Sequence, residues 1–346
     1  MPKVDRKMYI SLLNVVSCIA VVFLHTNGCF WAYSTERYWK TANVIECLAY
    51  FAVPCFFMIS GATLLNYRDR YSLKEYFGKR VQKTLVPFLA WSMIGLLYRL
   101  AITKSIQLSE VSALYVYNGI MNSSFVDIYW FFTSQFCIYL SIPLFAAVEK
   151  SARKEIFSYL AIIGLVLNSA IPLIQKVLFP DMAWKISVAT VSGYLIYVVI
   201  GYLINEYPMS RKQRLIIYGF SIAGFLMHLL GTYYASTEAG TVISTYKGYA
   251  NVPTILYSVG VFVWFRYHGE EILKIAIIRK AILLVSEYAF GIYLIHWFVI
   301  RALNRIINIG NTSIAYRLGM PFLVVPLSIA IIWVLRKIPV VKRIVP

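Results

Sequence analysis

The sequence predicts an all-α bundle of about ten transmembrane helices, with both termini cytoplasmic. Three observations lead there. Apolar residues make up 60% of the 346 residues and charged residues only 14%. A soluble domain carries about 45–50% apolar and about 25% charged residues, so the bilayer must solvate most of this chain. Apolar stretches close to 20 residues long recur along it, the length that crosses a hydrocarbon core of about 30 Å. The basic residues gather in alternate connections, as positive-inside topology requires.

The apolar stretches place spans at roughly 8–30, 44–66, 84–103, 126–147, 156–176, 186–204, 213–235, 250–267, 281–304 and 317–335. The first is too long for the apolar core of a cleavable leader, and no small-residue cleavage site follows it, so it reads as a span. The fifth carries Pro172. The longest connection, about 104–125, is outside and has room for one short helix. With the N-terminus inside, 23 of the 33 Lys and Arg residues fall at the cytoplasmic ends and connections: positions 3–7, 68–83, 150–154, 211–214, 266–280 and 336–343. A missed or extra helix would spoil this alternation downstream. The chain therefore reads as one membrane domain over 1–346, with no appended soluble domain.

Topology also accounts for the net charge of +18. No basic stripe or nucleic-acid module accompanies it, so the expected partner is the lipid bilayer and not nucleic acid. Cys18, Cys29, Cys47, Cys55 and Cys137 show no CxxC or Cys/His spacing, so neither a disulfide framework nor a metal site is expected. Cys29 and Cys47 both fall near the outer face.

Ionisable residues are costly at membrane depth and usually face an interior cavity. At a rise of about 1.5 Å per residue, four of them reach one depth in the outer third. His25 lies deep in the first span and His296 in the ninth. Arg99 lies in the third, and Glu46 opens the second from outside. A histidine titrates near neutrality and can act as a general base on a hydroxyl. A carboxylate such as Glu46 could orient it, and Arg99 could bind substrate or a developing oxyanion. Interhelical hydrogen bonding or snorkelling would explain the same residues without chemistry. His228 has no evident partner, and His268 is expected in a cytoplasmic connection. The connection 67–83 holds six bases and two acids. It reads either as an ordinary positive-inside segment or as a dock for the phosphates of a cytoplasmic acyl-CoA. No Walker A or GxGxxG pattern accompanies it.

Five segments in order resemble the integral membrane acyltransferase family 3. They are Leu12 to His25 in the first span, Val53-Pro54-Cys55-Phe56-Phe57-Met58-Ile59-Ser60-Gly61, and the basic step Tyr76 to Lys83 with Pro87. Tyr129-Trp130-Phe131-Phe132 with Tyr139 and Pro143, and Ser286 to His296, complete the set. The resemblance spans nearly the whole chain. It implies transfer of an acyl group, most often acetyl, from cytoplasmic acyl-CoA to a carbohydrate, at a bacterial cell membrane. It implies His25 as the catalytic histidine and matches His296 in the ninth span, and the depth argument sets Glu46 beside them. It implies Arg80 and Lys83 as contacts for CoA phosphates, to which Lys79 is added; Arg99, placed by depth, and Trp130 and Tyr293 are expected on the acceptor side. Acetyl-CoA is a donor substrate here and not a resident cofactor. The acceptor is expected to be a surface polysaccharide or glycolipid. Many members carry an acid and a base where this chain has Ser11 and Asn14, and some carry histidine where it has Ile128. The rival reading from the residues alone is a transporter or flippase for a glycan or lipid. Oligomeric state is not legible in the sequence.

Overall fold

The computed structural model describes residues 7–182 and 184–345. Lys3 and Arg6, counted above among the cytoplasmic bases, lie outside the described residues. Helices dominate, and no strand occurs among the described residues. Eight helical segments are long and apolar enough to cross a membrane.

Helix α1 (Met8–Thr26) is the axis of the bundle. Most of its residues are buried, and it packs against five other helices. Two of these are α2 (Arg37–Ala49) and α3 (Ala52–Leu64), which together form one span broken at Tyr50 and Phe51. The span thus starts well before residue 44, and Glu46 sits in the last turns of α2 instead of opening the helix. Next come α4 (Leu73–Arg80) and α5 (Val86–Ala101), joined by a π turn over Val81–Leu85. The cause of the turn is Pro87, which has no N–H for the carbonyl four residues back. Pro172 does the same between α8 (Arg153–Leu165) and α9 (Ile171–Leu178), where the π turn covers Val166–Ala170. Ahead of these, the short α6 (Ala113–Met121) occupies the connection after α5, and α7 (Trp130–Ala147) follows it.

The sixth and eighth expected spans differ from the rest. The α-helix at the sixth, α10 (Leu195–Glu206), is only twelve residues long. That is about 18 Å, too short to cross the hydrocarbon core alone. A largely irregular stretch precedes it, where Gly193 adopts φ of +57°. This helix is nevertheless largely buried, because it crosses α3 at two facing glycines. A Cβ on Gly61 would lie 2.0 Å from the Val198 carbonyl oxygen, and one on Gly201 would lie 2.1 Å from that of Met58. After α11 (Arg211–Ala239), the eighth span is α12 (Val252–Ile272). It is long enough to cross, but Arg266, His268, Glu270 and Glu271 dilute its apolar character. His268 therefore lies within a helix rather than in a connection. The chain closes with α13 (Ala276–Leu303) and α14 (Ile314–Leu335), which flank α1 along with α12.

Candidate active site

Two of the cavities along α1 carry polar or ionisable side chains in their walls. Asn14 lines the one near the end where α1 begins, and His25 lines the one toward its far end. Those two residues are about 16 Å apart in helix rise. The near cavity has a volume of about 280 Å³, and polar groups of Asn14, Ser60, Thr84, Gln135 and Ser286 line it. Gln135 is buried and donates to the Ser60 hydroxyl at 3.0 Å. The far cavity has a volume of about 320 Å³ and is mostly aromatic. Phe56, Phe131 and Tyr293 line both.

His25 is the chemical feature of the far cavity. Its neighbours Leu24 and Thr26 are buried in packing, yet His25 itself is exposed, because its side chain opens into this space. α1 and α13 run side by side in the same direction: the Cys18 thiol meets the Ala289 carbonyl at 3.6 Å. Continuing seven residues along each brings the rings of His25 and His296 to a centroid distance of 5.2 Å. His296 is fully buried. Its Nδ1 lies 2.9 Å from the Ile292 carbonyl oxygen, which can only accept. That contact places the hydrogen on Nδ1 and leaves Nε2 of the neutral ring as an acceptor. No side chain or backbone group among the described residues bonds to Nε2.

Glu46 lines the same cavity, but its carboxylate is engaged elsewhere. Oε1 accepts from Lys247 Nζ at 2.7 Å, and Oε2 accepts from Asn27 Nδ2 at 3.4 Å. Both members of the ion pair are buried. Burial pushes the Lys247 ammonium below the usual lysine range, while the Glu46 charge opposes that shift. The ammonium also lies 3.5 Å from the centroid of the Tyr50 ring. Tyr50 stacks on Tyr249 at 4.3 Å, and Tyr249 stacks on Trp130 at 5.5 Å. Lys247, Tyr50, Tyr249 and Trp130 thus form one column along the wall. Flat aromatic faces of this kind suit the apolar faces of sugar rings as well as the edges of other rings.

The remaining expected residues divide. Trp130 and Tyr293 line the far cavity, and the Tyr293 hydroxyl donates to the Ile128 carbonyl at 2.6 Å. Arg99 does not line the cavity: its Nε donates to the Phe125 carbonyl at 2.9 Å, pinning the connection between α6 and α7 to α5. On the near side, the Arg80 guanidinium lies 5.2 Å from the ring of Tyr139, a near-cavity wall residue. Its Nε is buried without a partner. Lys79 sits 3.8 Å over the Tyr71 ring, and Lys83 is exposed. The π turn carries Lys83 and directs its neighbour Thr84 into the near cavity. Sequence reasoning missed Lys247 and Tyr249, which come from the connection between α11 and α12. The one available signal was Glu46 itself, because a buried carboxylate demands a cation. His228 likewise lies against the column, 4.9 Å from Tyr50, without a hydrogen bond. All five cysteines are free.

A family model described as an acyltransferase domain matches residues 8–336. No curated protein and no solved structure matches the chain. The matched stretch runs from the first residue of α1 to just past the end of α14, and the chain therefore belongs to acyltransferase family 3, the acyltransferase domain family.

Proposed function

We propose that the protein is an O-acetyltransferase that moves an acetyl group from cytoplasmic acyl-CoA to a hydroxyl of a surface polysaccharide or glycolipid. It does so in a bacterial cell membrane, with the near cavity facing the cytoplasm. The single observation that carries this reading is the pairing of the two cavities. One, with amide and hydroxyl groups set among apolar side chains, adjoins the basic step at Arg80, and the other, largely aromatic, holds the exposed His25.

In this reading the donor's phosphates rest on Lys79, Arg80 and Lys83, where charge-assisted bonds are strongest. Its amide-bearing arm lies in the near cavity among Asn14, Ser60, Thr84 and Gln135. The acceptor enters the far cavity against Trp130 and Tyr249. His25 takes the proton of the attacking hydroxyl as its oxygen adds to the thioester carbonyl carbon. The C–S bond then breaks, the proton passes to the departing sulfur, and the products are an ester and free CoA thiol. His296, its ring 5.2 Å from that of His25 between centroids, positions the catalytic ring in this reading. Glu46 serves the wall through Lys247.

The test uses membranes holding the protein, labelled acetyl-CoA and surface glycan extracted from the host. Label should pass to glycan, and His25→Ala should abolish the transfer while the protein still accumulates. Full transfer by that variant would overturn the assignment.

A further inference from the structure

Phe56, Phe131 and Tyr293 each line both cavities and so stand between them. On the near side, amide and hydroxyl groups can bond to the two amides of a pantetheine arm. On the far side, the walls are aromatic, and the one carboxylate is already neutralised by Lys247. The side-chain amides that can pair with those of the arm, Asn14 and Gln135, line the near cavity and not the far one, so the arm belongs on the near side and the acyl group it carries on the far side.

The separation is also firmly held. Phe131 stacks on Phe57 at 5.2 Å with 13° between the planes, and Phe57 stacks on Tyr194 at 4.8 Å. Phe131 touches both of its fellows, Phe56 at 5.8 Å and Tyr293 at 5.2 Å. Tyr293 is tied by its hydroxyl to the Ile128 carbonyl. Stacked rings braced on three sides do not widen freely, since interiors are packed as densely as organic crystals.

We infer that these three side chains are a gate at the level of the thioester, and that Phe131 sets the longest acyl group the protein accepts. This rests on the acyl-transfer reading above. The gate holds the thioester carbonyl beside His25 and leaves only the acyl group beyond it. The far cavity, about 320 Å³, must hold that group and the acceptor's hydroxyl together. A longer chain displaces the acceptor, so short acyl donors are selected. Replacing Phe131 with a smaller residue opens the space between the cavities and admits a longer chain folded back across it.

The experiment compares labelled acetyl-CoA with labelled octanoyl-CoA, using membranes of the unaltered protein and of Phe131→Ala, with host surface glycan as acceptor. Phe131→Leu serves as the milder variant should alanine impair folding. The variant's octanoyl-to-acetyl ratio should rise about tenfold or more, the scale on which apolar pockets sort chain length. An unchanged ratio in a variant that still transfers acetyl overturns the gate. A second readout needs no turnover. Val53 lines the far cavity alone. Val53→Cys in a Cys137→Ser background is exposed to a charged methanethiosulfonate from the side where α1 begins. Labelling should be slow, and Phe131→Ala should speed it; equal rates overturn the gate. Transfer from neither donor by the unaltered protein would instead refute the functional reading, while the labelling rates would still decide whether the partition exists.

Discussion

The Glu46–Lys247 pair gives the sharpest energetic test of the site. Lys247→Met keeps an unbranched apolar stem and removes the charge. The carboxylate left behind is buried, and its remaining hydrogen bond, from Asn27 Nδ2, is a long one at 3.4 Å. Breaking one side of a buried pair costs about 3–5 kcal/mol, because the surviving charge is desolvated and unpaired. Loss of the cation above Tyr50 adds as much as ~2 kcal/mol, and a methionine sulfur on the same ring recovers about 1 kcal/mol of that. The net expectation is therefore about 4–6 kcal/mol for Lys247→Met. Glu46→Gln alone leaves the ammonium unpaired and should cost a similar amount. The double variant Lys247→Met with Glu46→Gln contains no buried charge and should lie within about 1–2 kcal/mol of the parent. Equilibrium unfolding of detergent-purified protein measures all four corners of this cycle. A coupling energy of about 2 kcal/mol or more is expected. If the single losses simply add in the double variant, the pair is not the electrostatic unit described here.

Further expectations concern the near side and the frame. Arg80→Gln should raise the KM for acetyl-CoA about tenfold with little change in kcat, because a charge-assisted phosphate contact contributes about 1.5–3 kcal/mol to uniform binding; added salt should weaken the parent more than the variant, measured as initial rates in membranes. Gly201→Val should lower thermal stability by at least about 1–3 kcal/mol, since its Cβ would meet the Met58 carbonyl oxygen at 2.1 Å and backbone cannot move aside cheaply. Gly219→Ala, where nothing lies within 4 Å of the added carbon, should be neutral or slightly stabilising in the same assay. Arg153 donates to the carbonyls of Ala146 and Val148 at the end of α7 and to Asn66. Its replacement by Met should cost about 3 kcal/mol, and Lys should recover less than half, because a point charge cannot reproduce the fork.

Depth was legible in the sequence, and direction around a helix was not. Counting residues from the start of each span puts His25 and His296 at one level, and parallel packing of α1 on α13 brings their rings together. The same count puts Arg99 at a suitable height, but it carries no information on rotation, and Arg99 turns to the Phe125 carbonyl instead. Apolar character marked the sixth span without revealing that only its second half is α-helical, since periodicity and hydropathy do not report a short helix buried by glycine contact. The prolines at 87 and 172 were visible, and the π turns before them follow from the missing N–H. Lys247 was hidden for a different reason. It stands on a connection, where no helical repeat constrains a side chain, and its partner is 201 residues away in the chain.

That separation has a consequence for biogenesis. The ribosome delivers Glu46 to the membrane long before Lys247 exists. At about 5–20 residues per second, 201 residues of synthesis take roughly 10–40 s. Through that interval the carboxylate has no cation from its eventual partner, so α2 must wait at the headgroup level or beside the insertion machinery. The connection that brings Tyr249 to the wall of the far cavity is thus also the one that lets the second span settle. A chain truncated before residue 247 should be retained as an unassembled intermediate and cleared by proteolysis.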